Sequence, residues 1–151
     1  MDTLLVEKQT TNIQEEFLPL NGTDFIELYV GNAKQSAHFY KTAFGFQSLA
    51  YSGLETGNRE CASYVLRQGK ITLILTTPYN SSSPVAEHIK NHGDGVKVIA
   101  FTVDDAEYSF AQTTERGAEP FLFPTVKSDA DGEIKIAGIK TYGEVIHLFV
   151  E

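Results

Sequence analysis

The side chains best able to bind a metal ion in this sequence are its four histidines and the carboxylates near them. Two of these groups, His147 and Glu151, lie on one face of the predicted last strand. A strand advances about 3.3 Å per residue, so four steps separate the two side chains by roughly 13 Å. One metal ion cannot be bound by both. His147 is therefore predicted to be a half-buried, hydrogen-bonded strand residue, and His147 and Glu151 are only weak candidates for metal ligands.

A second pair, His88 and His92, has the spacing of neighbours on one face of a helix. Two imidazoles placed in this way could chelate a divalent cation. The alternative is a solvated helix face, with His92 near the helix C-terminus, where a positive charge is stabilised. His38 is predicted to lie on the first module helix, beside Phe39 and Tyr40, as a residue at the boundary between buried and exposed surface. Cys61 is predicted to pack within a strand, because no base lies near it in the sequence. The following tyrosines are predicted to belong to a core rather than to line a hollow: Tyr29, Tyr40, Tyr51 and Tyr64.

The elements that position these side chains occur in two copies. Val30–Ala33 precedes a helical stretch that ends at Gly45, and Val103–Ala106 precedes another that ends at Gly117. In each copy a strand comes before the helix and three strands come after it. This order predicts an α+β fold of two βαβββ modules that form a cupped mixed sheet.

The two modules are predicted at about residues 22–78 and 95–151, joined by a connector helix over residues 83–92 and preceded by an N-terminal arm over residues 1–21. Asn32 and Asp104 are predicted to cap the module helices, and the second of these is expected to run to Arg116. Ser83 is the predicted cap of the connector, and Asp131–Gly132 a hairpin turn. The predicted strands are Phe25–Val30, Gln47–Tyr51, Arg59–Leu66, Ile71–Thr77, Val96–Val103, Phe121–Lys127, Glu133–Gly138 and Val145–Glu151.

Composition narrows the classes of function. The chain has 151 residues, of which 42% are hydrophobic, enough for one domain with a core. The net charge of −8 argues against a nucleic-acid partner and against an anionic membrane surface. A single cysteine cannot form an internal disulfide and fits a reducing compartment. The N-terminus lacks the pattern of a signal peptide, and a cytoplasmic location is expected.

An ordered set of short motifs resembles the N-terminal domain of the 4-hydroxyphenylpyruvate dioxygenases, a family of vicinal-oxygen-chelate enzymes. The resemblance covers about residues 22–151, and it depends on the whole set at matching spacing because each motif alone is weak. The motifs are Val30–Gln35, His38–Tyr40, Gly45–Phe46, Leu49–Tyr51, Gly53–Gly57, Gln68–Lys70, His92–Lys97, Arg116–Ala118, Thr141–Gly143 and Val150–Glu151, together with His147.

The resemblance implies a two-domain parent enzyme that converts 4-hydroxyphenylpyruvate and dioxygen to homogentisate and carbon dioxide in tyrosine catabolism. The C-terminal domain would carry ferrous iron on two histidines and one glutamate, and it would be the partner of this chain. The chain ends where the first domain would end, as expected of an excised half or of a product that never had its partner. The related 4-hydroxymandelate synthases share this N-terminal half, so the half alone does not separate the two activities.

The resemblance also indicates where this fold supplies metal ligands, and those positions hold Phe25, Val98 and Glu151. A mononuclear iron oxygenase needs two histidines and one carboxylate, and neither an aromatic ring nor a branched aliphatic side chain can bind iron. We therefore expect no catalytic, cofactor-binding or metal-binding residue in this chain, and iron only in the C-terminal domain. The expected role is structural: packing against the catalytic domain and supplying subunit contacts.

Two other classes of function remain open. One is a stand-alone vicinal-oxygen-chelate module that binds a small molecule, since aromatic residues make up 11% of the chain and could line a hollow. The other is an enzyme whose site forms between two subunits, for which Glu27, His147 and Glu151 are the candidates on suitable strands. Loss of a partner domain would expose an apolar face, so a homo-oligomer, most simply a dimer, is expected.

Overall fold

The structure is a computed structural model and describes residues 16–128 and 132–151. Within these ranges the helices are α1 (Ala33–Phe44), α2 (Pro84–His92) and α3 (Ala106–Glu115), with 3-10 turns at Leu54–Thr56 and Tyr142–Glu144. The strands are β1 (Gly22–Tyr29), β2 (Gln47–Ser52), β3 (Cys61–Gln68), β4 (Ile71–Pro78), β5 (Gly95–Thr102), β6 (Pro120–Ser128), β7 (Glu133–Lys140) and β8 (Ile146–Val150). None of the helices in the described ranges is long and apolar enough to cross a bilayer.

All eight strands form one mixed sheet in the order β2-β3-β4-β1-β5-β8-β7-β6. In each module the first strand pairs in parallel with the last, β1 with β4 and β5 with β8, and the remaining neighbours are antiparallel. The antiparallel pair β1–β5 joins the modules along the length of both strands. The predicted α+β fold of two βαβββ modules is confirmed.

Two separate cores lie under the module helices. Alternate residues of the strands point toward α1 in the first module and toward α3 in the second, as the strand period of two requires. We call the opposite side of the sheet the cup face. The first core consists of Val30, Ala33, Ala37, Phe46, Leu66, Leu73 and Leu75. The second core consists of Val103, Ala106, Phe110, Ala137, Ile139 and Phe149.

Both module helices begin at a residue whose side-chain oxygen accepts a hydrogen bond from the backbone N–H three residues on. Asn32 Oδ1 accepts a hydrogen bond of 3.0 Å from the backbone N–H of Gln35, and Gly45 ends α1 in the left-handed conformation at φ 77°. The predicted cap of α3 was wrong by one residue, because Asp105 caps the helix by accepting 2.8 Å from the N–H of Tyr108. Asp104 instead accepts 2.6 Å from the side-chain amide of Asn21. The helix also ends at Glu115 rather than at Arg116.

Part of the predicted arm contacts the domain. The ring of Phe17 lies 4.0 Å from the guanidinium carbon of Arg116, and Leu18 packs against the second core. Residues 1–15 of the arm and residue Asp131 of the predicted hairpin turn lie outside the described residues. The division of the chain into an arm and a domain stays a prediction.

Candidate functional site

The cup face of the first module carries a string of polar side chains on three adjacent strands. Thr76 Oγ1 on β4 donates a hydrogen bond of 2.7 Å to Glu27 Oε1 on β1. Since the single hydroxyl proton of Thr76 is used there, Ser63 on β3 is the donor in the 2.8 Å bond between the two hydroxyls. Burial raises the pKa of the Glu27 carboxyl, and the hydrogen bond from Thr76 opposes this with a smaller effect.

Tyr29 extends this string toward the connector helix. Burial, and next the charges of Glu27 and Cys61, raise the pKa of its phenol to about 12, so it stays protonated at neutral pH. Its ring meets the ring of His88 on α2 edge-on, with the ring centres 5.5 Å apart. Tyr40 and Tyr64 pack against the first core, as predicted. The core prediction was wrong for Tyr29, which faces the cup, and for Tyr51, which is exposed at the outer strand β2.

The positions expected to supply iron ligands hold an apolar pair on the central strands. Val98 on β5 is buried and lies directly opposite Glu27, whereas Phe25 lies opposite Ala100. The carboxylate closest in register to Val98 is therefore Glu27. The positions that the resemblance indicated for metal ligands did not include Glu27. The alternation of Phe25, Glu27 and Tyr29 along one strand was the signal that could have placed it there.

Glu151 supports α3 instead of facing the cup. Its Oε2 accepts 3.0 Å from the backbone N–H of Ala106 in the first turn of α3, and Lys135 Nζ donates to both carboxylate oxygens at 3.1 and 3.0 Å. The hydrogen bond from Ala106, and next that from Lys135, lower the pKa of Glu151. The carboxylate is thus ionised and stabilises the positive end of the helix dipole.

The side chains at the expected ligand positions do not fit an iron site of two histidines and one carboxylate. Phe25 and Val98 have no ligating atom, Glu151 is bound to α3 and Lys135, and Glu27 accepts from Thr76. The residues at these positions therefore do not form a triad that could bind iron. That no residue of the chain binds a metal in the cup stays a prediction, which metal analysis can test.

His147 lies on the helix side of the sheet, away from the cup. Its ring meets the ring of Phe101 edge-on with centres 5.3 Å apart, and it lies opposite Ile99 and Ile139 on the neighbouring strands. It is half-buried, as predicted, and its Nε2 has no hydrogen-bond partner among the described residues, so the predicted hydrogen bond of the ring stays a prediction. Burial lowers the pKa of His147, so its ring is neutral at pH 7.

The predicted solvated helix face is wrong for His88, which is only 6% exposed, whereas His92 is exposed, as that alternative predicted. A third group, Glu144 from the turn before β8, lies against both: its Oε2 is 3.0 Å from His92 Nε2 and 3.6 Å from His88 Nδ1. Sequence reasoning missed Glu144, which is 52 positions away from His92. Burial is the main cause that lowers the pKa of His88, and the hydrogen bond with His92 is the main cause that lowers the pKa of Glu144.

The remaining candidates take no part in these clusters. His38 is exposed on α1, with Thr42 Oγ1 3.5 Å from its Nε2. Cys61 is half-buried on β3, and the side-chain amide of Asn58 lies 3.5 Å from its sulfur. Packing is therefore a sufficient account of Cys61.

Comparison with known proteins identifies the family. The model of the family described as hydroxyphenylpyruvate dioxygenase, N-terminal, matches residues 15–151. A 4-hydroxyphenylpyruvate dioxygenase from Danio rerio is 46% identical over 127 residues, which cover 83% of this chain and 32% of the relative. One from Aspergillus fumigatus is 40% identical over 156 residues, covering 94% of this chain and 39% of the relative. The chain thus spans 32% and 39% of the length of these two curated relatives.

Solved structures agree with this assignment. A triple variant of 4-hydroxymandelate synthase from Streptomyces coelicolor superimposes with a TM-score of 0.82 at 31% identity, covering 87% of this chain and 38% of that one. Methylmalonyl-CoA epimerase from Mycobacterium tuberculosis superimposes with a TM-score of 0.70 at 17% identity, covering 89% of both chains, and this likeness shows the fold alone. The chain belongs to the family of hydroxyphenylpyruvate dioxygenase N-terminal domains.

Proposed function

We propose that this chain is the structural, non-catalytic half of a 4-hydroxyphenylpyruvate dioxygenase that acts in tyrosine catabolism. The observation that carries the proposal is the apolar pair at the positions expected to hold histidine ligands, Phe25 and Val98, together with the commitment of Glu151 to α3. The iron and the keto-acid site would then reside in a C-terminal partner domain. The coverage of the relatives supports such a partner, because about two thirds of their length lies outside the match.

The hairpin of β6 and β7 is the surface that we assign to contacts with the C-terminal domain. Its strand β6 keeps three large apolar side chains about half exposed or more, and exposed apolar surface of this kind is typical of interaction sites. These side chains are Phe121, Phe123 and Val126. Without the partner domain, the same surface would favour self-association, which is the basis of the homo-oligomer that we propose. We also propose a cytoplasmic location, which the free thiol of Cys61 fits.

The experiment is an oxygen-electrode assay of the purified chain with ferrous iron, ascorbate and 4-hydroxyphenylpyruvate, beside the intact dioxygenase from Danio rerio as a positive control. We expect oxygen uptake by the control and none above the protein-free rate by the chain. Formation of homogentisate or of 4-hydroxymandelate by the chain alone would refute the non-catalytic role. The product would also show which of the two related activities had been present.

Self-association is tested separately by sedimentation of the chain and of the variant Phe123→Glu. Phe123 is 68% exposed, so the substitution should leave the fold intact. We expect the wild type to associate as concentration rises and the variant to remain monomeric. Equal association of both proteins would remove the β6–β7 hairpin from the proposed interface.

A further inference from the structure

The connector helix and the turn before β8 bring three metal-ligating side chains together. Glu144 Oε2 lies 3.0 Å from His92 Nε2 and 3.6 Å from His88 Nδ1, and the three donor atoms all lie within 4.8 Å of one another. Ligands of a tetrahedral zinc ion, at bonds of about 2.0–2.1 Å, are separated by roughly 3.3 Å. Small side-chain rotations would therefore bring all three atoms to one ion.

An unsatisfied nitrogen points into this cluster. The side chain of His88 is 5% exposed, yet its Nδ1 has no hydrogen-bond partner in the part of the chain that the structure describes. A buried polar atom without a partner is costly, and an unmodelled water or ion is a common explanation. The edge-on contact with Tyr29 keeps the ring of His88 in an orientation that directs Nδ1 toward Glu144.

The other side of the cluster is open to solvent, and the positive charge of Lys97 near it opposes the binding of a cation. The side chains of His92 and Glu144 are 40% and 63% exposed, so an ion could enter from water. Lys97 Nζ donates 2.7 Å to the backbone carbonyl of Glu144, which fixes the turn but places a positive charge near the cluster. The Glu144 carboxylate is the negative group of the cluster, and its single charge would offset part of the positive charge of Lys97 and a bound cation.

We infer that His88, His92 and Glu144 form a binding site for a zinc-class divalent cation, with water completing the coordination. Two imidazoles and one carboxylate with an open position suit zinc and related ions. The site lies on α2 and the Tyr142–Glu144 turn, so it shares no residue with the positions at Phe25, Val98 and Glu151. A bound ion would tie the connector between the modules to the last turn of the second module, and this role does not depend on the dioxygenase assignment.

The test is a calorimetric titration of the metal-free chain with Zn²⁺, together with visible absorption during titration with Co²⁺. We expect saturation at one equivalent, and visible cobalt absorption bands typical of a four- or five-coordinate ion. Zn²⁺ should also raise the melting temperature. The variants His92→Ala and Glu144→Gln should each weaken binding by more than about 10-fold, because each removes one ligand. His38→Ala is the matched control, since it removes an exposed histidine from another helix, and it should bind as the wild type does.

His92 and Glu144 are partly exposed, so both substitutions should leave the fold intact, and the buried His88 is left unchanged. Circular dichroism of each variant without metal checks that the fold is retained. Lack of saturable binding by the wild type would overturn the site. Binding that is unchanged in either His92→Ala or Glu144→Gln, or that is lost in His38→Ala, would overturn it as well.

Discussion

Replacing Leu75 with alanine tests whether the two modules form one cooperative unit. Leu75 is 0% exposed and lies on β4 in the core under α1. Truncation of a buried leucine to alanine costs about 2–5 kcal/mol, the larger values where the surroundings cannot collapse into the space. Strands β1 and β3 hold β4 on both sides, so we expect a loss of about 3 kcal/mol in the free energy of unfolding. For a domain of this size that loss lowers the melting temperature by about 6–12 °C.

The continuous sheet predicts that Leu75→Ala also destabilises the second module. In the sheet, β1 is the strand of the first module that borders the second module, and it pairs with β5. Strand β5 in turn pairs directly with β8 of the second module. We therefore expect the second module to lose its protection when the first unfolds. Hydrogen exchange followed by mass spectrometry should show that Leu75→Ala reduces the opening free energy of β8 peptides by the same amount as that of β4 peptides.

The matched control is Leu49→Ala on β2, where the leucine is 57% exposed. Its effect should stay within about 0.5 kcal/mol. If Leu75→Ala weakens protection only in β2 to β4 while β7 and β8 keep wild-type exchange, the modules unfold independently. The expectation that the two modules form one cooperative unit would then be refuted.

Three further substitutions probe the sheet and its buried charges. In Gly138→Ala the added Cβ would lie 2.6 Å from Leu148 Cδ2, so we expect a loss of about 1–3 kcal/mol in denaturant unfolding, and an unchanged midpoint would contradict the close packing. Burial lowers the pKa of His147, so its contribution to stability is lost as pH falls below the unfolded value of 6.5. The variant His147→Phe should therefore lose less unfolding free energy from pH 7 to pH 5 than the wild type. Parallel curves of unfolding free energy against pH for the two proteins would contradict this. Burial raises the pKa of Glu27, so its ionisation disfavours the folded state as pH rises through the folded pKa. Glu27→Gln keeps the acceptor for Thr76 and should be more stable than the wild type at pH 7, with the gain vanishing below the ordinary pKa of 4.5, as measured by urea unfolding at both pH values.

Local sequence signals were sufficient for most of the fold. The alternation of apolar and polar residues located the strands, and Asn32 and Ser83 marked two helix starts through hydrogen bonds of 3.0 and 3.1 Å that their side chains accept. The error at α3 arose because two adjacent aspartates can both cap a helix. The position of Asn32 in the first copy corresponds to Asp105 in the second, so the repeat itself contained the correct answer.

The side-chain clusters were harder to predict because they depend on how distant segments are brought together. Glu144 reaches His92 only because the 3-10 turn lies beside the end of α2, which no local pattern indicates. Glu151 reaches Ala106 because β8 runs parallel to β5, so the end of β8 lies next to the start of α3. The topology predicted from the repeat could have shown this second contact, whereas the contact of Glu144 required the structure.

Iron binding at the cup is the property that decides the non-catalytic role. The most direct measurement is electron paramagnetic resonance of the ferrous–nitric oxide complex, recorded on the His92→Ala, Glu144→Gln double variant so that the inferred cation site cannot contribute. We predict that the iron signal stays at the level of free ferrous ion under these conditions. A signal equivalent to one iron per chain, abolished by substitution of Glu27 or Glu151, would contradict the account.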